Sequence, residues 1–219
     1  MSNLILSSLG GQVLEMVQGD LLNYVLGVGL VVLLIIFAGK FLKESEISSI
    51  HKIVYTAVFA ALAFVVMLVS VPIMPMAPYL KVEFSVLVIL ILALKVDYKS
   101  AITASLIVNL LDYLIKGSAT GLPIDQAANF MATVSFVLPI LLLKKKLSDA
   151  LAILVGIGLV TTFMVVLNYL FITPFYFNLA GWPLPENLFW YCVTLYGPFN
   201  LIKWGLVGVS YYIVKRRMV

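Results

Sequence analysis

The chain has 219 residues, 63% of them hydrophobic and only 11% charged, with a net charge of +4. Soluble domains carry roughly a quarter charged residues, so this composition, with a mean hydropathy of +1.13, indicates a single integral membrane bundle. The positive balance does not imply nucleic acid, because the basic residues gather at the ends of apolar segments.

Residues 1–20 carry no Lys or Arg and include Glu15 and Asp20, unlike a cleavable signal. Hydropathy then predicts seven apolar segments, at about 21–42, 53–73, 84–95, 100–115, 127–143, 150–172 and 198–214. The third and fourth are shorter than the roughly 20 residues of a simple crossing. They are read as spans that are tilted, extended or shielded by other helices, with a re-entrant pair as the alternative. Gly197-Pro198 predicts a break, with a short interfacial helix over 187–196 before it and the last helix starting at Pro198.

Charge fixes an orientation. Lys40, Lys43, Lys52, Lys95, Lys99, Lys144, Lys145, Lys146, Lys215, Arg216 and Arg217 are eleven of the 14 basic residues and fall on alternate connections. The positive-inside rule therefore predicts an N-terminus outside and a C-terminus in the cytoplasm. The opposite connections, 70–83, 116–126 and 173–196, are longer and rich in Pro and Gly, as suits a binding mouth or cover. Trp182, Trp190, Tyr191 and Tyr196 in the last of them have a simpler reading as interfacial anchors.

Lys203 is the costliest residue, a charge inside the run Gly197–Gly205. Asn200 lies one turn before it on the same face, and Asn109, Asp112, Asn129 and Asn168 also fall near the outer ends of their segments. Asn offers a donor and an acceptor at once, which suits the amide and imide edges of heterocycles or a polyhydroxylated ligand. Each alone is equally well read as an interhelical hydrogen bond, worth about 0.6 kcal/mol; as a group at one depth they favour a ligand site. Asp112 has Lys203, Lys116 or outer solvent as its partner. Ala57 and Ala61 form a small-residue pair that fits either another protein's helix or packing within the bundle, and Gly156 and Gly158 allow a similar packing reading.

Walker-type phosphate loops, His-Glu metal motifs and Gly-x-Ser-x-Gly elbows are absent from the sequence. The lone Cys192 and lone His51 argue against a disulfide framework and a zinc or haem site. No catalysis, metal or cofactor is expected of this chain, and any ATP-driven step falls to another subunit.

The ordered set Pro78-Tyr79-Leu80-Lys81-Val82-Glu83-Phe84-Ser85, Asn109-Leu110-Leu111-Asp112-Tyr113, Ala127-Ala128-Asn129-Phe130, Leu167-Asn168-Tyr169 and Pro198-Phe199-Asn200-Leu201-Ile202-Lys203 resembles the S components of energy-coupling factor (ECF) vitamin transporters, most of all the riboflavin-binding type. The resemblance covers roughly residues 50–217. It implies an all-α membrane protein with a six-helix core (49–219), to which residues 1–48 add one extra N-terminal transmembrane helix. It also implies a bacterial plasma-membrane subunit that binds a vitamin from outside and docks on an EcfT-type coupling subunit with two cytoplasmic ATPases. Such proteins are thought to topple in the membrane to release substrate inward. By resemblance, Asn168, Asn200 and Lys203 contact the ligand, Asn129 joins them, Tyr79, Leu80 and Lys81 belong to a covering loop, and Ala57 and Ala61 face the coupling subunit. Riboflavin is then transported cargo. Alternatives are an S component for pantothenate or a pyridoxine- or thiamine-like vitamin, and a self-sufficient secondary transporter. The sequence departs from the family pattern at Val86, where Asp is usual, and at Trp204, where Gly is usual.

Overall fold

The computed structural model describes residues 46–75, 77, 79–118 and 121–218, with isolated positions between 29 and 42. The predicted segment 21–42 thus lies mostly outside the described residues. Among those described, six helices form the core: α1 (Ser49–Leu68), α2 (Ser85–Lys95), α3 (Tyr98–Lys116), α4 (Ile124–Leu143), α5 (Asp149–Ala180) and α6 (Leu188–Met218). Between α1 and α2 the chain makes a small antiparallel hairpin of β1 (Val71–Pro72) and β2 (Lys81–Val82), in which Val71 faces Val82 and Pro72 faces Lys81.

The 11 residues of α2 span only about 16 Å. The helix is apolar all round because it is enclosed: Val86, Leu90 and Leu92 are fully buried, with α1, α3, α4 and α6 packed about it. Shielding by neighbours therefore accounts for the short third segment. Around it α1 packs on α3, α3 on α4, α4 on α5 and α5 on α6. Glycine permits close approach at two places. A Cβ on Gly156 would stand 3.0 Å from Ile140, and one on Gly208 would stand 2.6 Å from Ile153. Gly158 faces open space, so the packing reading holds for Gly156 and not for its neighbour.

The outer faces carry exposed Val58, Leu62, Leu106, Leu110, Leu154 and Val209, as a lipid-facing bundle requires. Ala57 and Ala61 are exposed on α1, whereas Thr56, Ala60, Ala63 and Met67 point inward. The small-residue pair therefore does not pack within the described bundle.

Alternating helix direction puts the start of α1, the α2–α3 and α4–α5 connections and the end of α6 at one end. Two ion pairs close that end, Lys52–Asp97 at 3.1 Å and Lys215–Asp149. Asp97 also caps α3 by accepting from the Ser100 amide at 2.8 Å. Burial pushes its carboxyl upward, but the hydrogen bonds from Ser100 and the contact with Lys52 outweigh burial and hold it below the usual carboxylate range. Lys144 is held below the usual lysine range, by burial first and then by the charges of Lys145 and Lys215.

Two elements differ from the sequence reading. The expected break at Gly197-Pro198 is absent, and α6 runs unbroken for 31 residues with Pro198 inside it. The preceding turns are pinned by burial: Cys192 and Tyr196 are buried, and the Thr173 hydroxyl donates to the Tyr196 phenol at 3.1 Å. That packing outweighs the bond lost at proline. Tyr196 is consequently an interior residue and not an interfacial anchor. Likewise α5 continues through Asn168–Ile172 as one π-helical turn and ends at Ala180, leaving only 181–187 as loop. Pro174 cannot donate to the carbonyl four residues back, and the wider turn before it relieves the resulting crowding.

Candidate functional site

Lys203 is the sixteenth of the 31 residues of α6, at its middle and not in its first two turns. It is nonetheless close to the hairpin end of the shorter helices. Counting 1.5 Å per residue from the charged end, Lys203 and Asn129 stand about 21–23 Å up, with Asn168 and Asn200 about 27–29 Å up. The four predicted polar residues form two adjacent layers.

In the lower layer the Lys203 ammonium donates to Asn129 Oδ1 at 3.1 Å and pairs with Glu83 Oε1 at 3.4 Å. Asn129 Nδ2 donates to Asn109 Oδ1 at 3.2 Å, and Asn109 Nδ2 donates to the Ser105 carbonyl at 2.8 Å. Glu83 Oε2 accepts from the Ser85 amide at 2.6 Å. The Trp204 ring lies 5.3 Å from the ammonium. Lys203 is 7% exposed and Glu83 4%, so the charge is matched inside the protein and not by water. The pair answers the question of Lys203's partner: it is Glu83, while Asp112 pairs with Lys116 at 2.7 Å and accepts from Gln126 at 3.1 Å.

In the upper layer Asn200 Nδ2 donates to the Tyr196 carbonyl at 2.8 Å, and its Oδ1 accepts from Trp204 Nε1 at 2.9 Å. Trp204 is fully buried, with its ring 4.8 Å from that of Phe136. Asn168, first residue of the π-helical turn, is buried and donates to the Met164 carbonyl at 2.8 Å. Each Asn keeps polar capacity beyond these bonds.

Tyr79, Leu80 and Lys81 stand apart from this cluster. Tyr79 and Lys81 are exposed and Leu80 is half-buried, its amide donating to the Ala77 carbonyl at 2.9 Å. The Tyr79 phenol lies near those of Tyr191 and Tyr196 on α6, so the hairpin tip reaches across the end of the bundle. One turn deeper than Asn109 and Asn129, a small apolar void is lined by Ile89, Ala101, Ser105, Thr133 and others.

Glu83 and Trp204 were not among the predicted site residues. The available signal for Glu83 was a carboxylate abutting the apolar run that begins at Phe84, the counterpart of Lys203 in its own run. Nothing periodic links two positions 120 residues apart.

The described residues thus define a helical membrane protein, six helices enclosing a buried, charge-balanced polar cluster below a hairpin. Residues 51–215 match the family described as ECF transporter, substrate-specific component. The chain belongs to that family, whose members bind a transported substrate and do not catalyse a reaction. It is 33% identical over 171 residues to the riboflavin transporter FmnP of Bacillus subtilis, covering 75% of this chain and 90% of that one. It is 32% identical over 181 residues to the riboflavin transporter RibU of Streptococcus thermophilus, covering 80% and 86%. A solved structure of the S component of a bacterial ECF transporter superposes with a TM-score of 0.66 at 25% identity, covering 78% of this chain and 96% of that one.

Proposed function

We propose that this chain binds riboflavin at the Lys203 cluster and is the substrate-binding subunit of an importer whose energy comes from a coupling subunit and two ATPases. The observation that carries the ligand assignment is the cluster itself. Lys203, Asn129 and Asn200 place donors and acceptors at neighbouring levels, fitting the imide edge and hydroxyl chain of a flavin. The relatives that match most of the chain are riboflavin transporters, which supports the same cargo. In this reading the hairpin end faces outside and the lysine-rich end the cytoplasm. Tyr79, Leu80 and Lys81 cover the site, Asn168 joins the upper contacts, and exposed Ala57 and Ala61 meet the coupling subunit.

The test is a titration of the purified chain with riboflavin, followed by quenching of flavin fluorescence. Saturable quenching at nanomolar to micromolar ligand is expected, weakened at least about tenfold by Lys203→Ala, the loss of roughly one charged hydrogen bond. Absence of quenching with folded protein rejects riboflavin, and mass spectrometry of the retained ligand then identifies the vitamin bound instead.

A further inference from the structure

Glu83 ends the hairpin, one residue after β2, and delivers a carboxylate to Lys203, the one buried lysine among the described residues. Its two oxygens are used differently. Oε2 is held by the Ser85 amide, while Oε1 is buried and, among the described residues, accepts no hydrogen bond. The polar contact of Oε1 is Lys203 Nζ at 3.4 Å, too long for a strong bond and offset enough to leave acceptor capacity. Lys203 has three donors, one of them given to Asn129. The pair thus presents a donor and an acceptor side by side with no net charge.

We infer that Glu83 is a specificity-determining residue: by neutralising Lys203 it makes the site select an uncharged ligand with adjacent acceptor and donor groups and disfavour the anionic form of that ligand. The inference rests on the flavin reading above and goes beyond it by assigning charge selection to a residue outside the Lys and Asn set. A lone buried ammonium attracts any anion, so phosphorylated cargo would gain from it. With Glu83 beside it, a phosphate carrying nearly two negative charges finds no net attraction. At an effective dielectric of about 20, one unit charge changes the affinity of another about 12 Å away roughly tenfold. The selection therefore extends to a phosphate at the far end of a vitamin-sized ligand.

The experiment measures the Kd of riboflavin and of riboflavin 5′-phosphate for the full chain in nanodiscs. The expected wild-type preference is for riboflavin. Glu83→Gln should move the ratio of the two constants at least about tenfold toward the phosphate, and Glu83→Gln with Lys203→Met should return it to within about threefold of wild type. If Glu83→Gln does not elute as a folded species, Lys203→Met compared with the double variant gives the same comparison. The single change should sharpen rejection of the phosphate and the double should relax it. A purely structural Glu83 would weaken both ligands together, so an unchanged ratio overturns the inference while leaving the flavin reading intact. Wild-type protein that binds neither flavin overturns both.

Discussion

Asn200 and Trp204 are partners inside α6, and their bond separates folding from binding. Asn200→Ala leaves the buried Trp204 indole N–H without an acceptor, which costs about 1–3 kcal/mol. Adding Trp204→Phe removes the stranded donor. The double variant is therefore expected to recover part of the thermal stability lost by Asn200→Ala, measured as melting temperature in detergent. Under the proposed function riboflavin affinity should stay low in both, because the Asn200 amide is gone in each. Recovery of affinity along with stability would make Asn200 a packing residue only. That Lys203, Asn129, Asn168 and Asn200 are polar groups set among apolar ones was readable in the sequence, where apolar surroundings penalise each. The ionic partner of Lys203 was not: Glu83 reaches it from 120 residues earlier in the chain, a contact that only the packed bundle creates.

The six predicted spans from 53–73 onward survive as helices, and their inner faces follow from which residues meet α2. On α1, Ala57 and Ala61 point outward while Ala60 and Ala63 are 2% and 0% exposed. Ala57→Leu with Ala61→Leu is expected to change the stability of the isolated chain by less than about 0.5 kcal/mol. Ala63→Leu, forcing extra methylenes into a packed interface, should cost about 1–3 kcal/mol. Chemical or thermal denaturation of the purified variants checks the contrast, and an equal loss in both would place Ala57 and Ala61 in the core. Hydropathy found these segments because apolar length is a local property. It misplaced the start of α6 because the Gly197-Pro198 signal is also local, whereas the grip of Thr173 on Tyr196 is tertiary.

The lysine-rich end of the bundle is tied by two ion pairs between helices, Lys52–Asp97 and Lys215–Asp149. Asp97 joins the start of α1 to the cap of α3, and its pKa lies below the ordinary value. A carboxyl depressed in the folded state contributes stability that is fully present above the unfolded pKa of about 3.9 and disappears as pH falls through the lower folded value. Wild type should therefore melt about 2–4 °C above Asp97→Asn at pH 7, the equivalent of about 1 kcal/mol in a chain of this size. The gap should close progressively below about pH 4. A gap that persists unchanged at lower pH would assign the effect to packing and not to charge.

α5 and α6, at 32 and 31 residues, are about 16–18 Å longer than the 20-residue α1 and α4. A hydrocarbon layer of about 30 Å matches the shorter pair and not the longer one. The bundle thus meets the membrane as a step: flush on the side that carries Ala57 and Ala61, overhanging where exposed Trp182 and Trp190 stand. Lipid beside the tall wall must stretch, or the wall must lean, at fractions of a kcal/mol per Å of mismatch. Leaning turns the hairpin end above Lys203 away from the bulk solution and toward the headgroup layer, so under the proposed function bilayer thickness becomes a variable of ligand access.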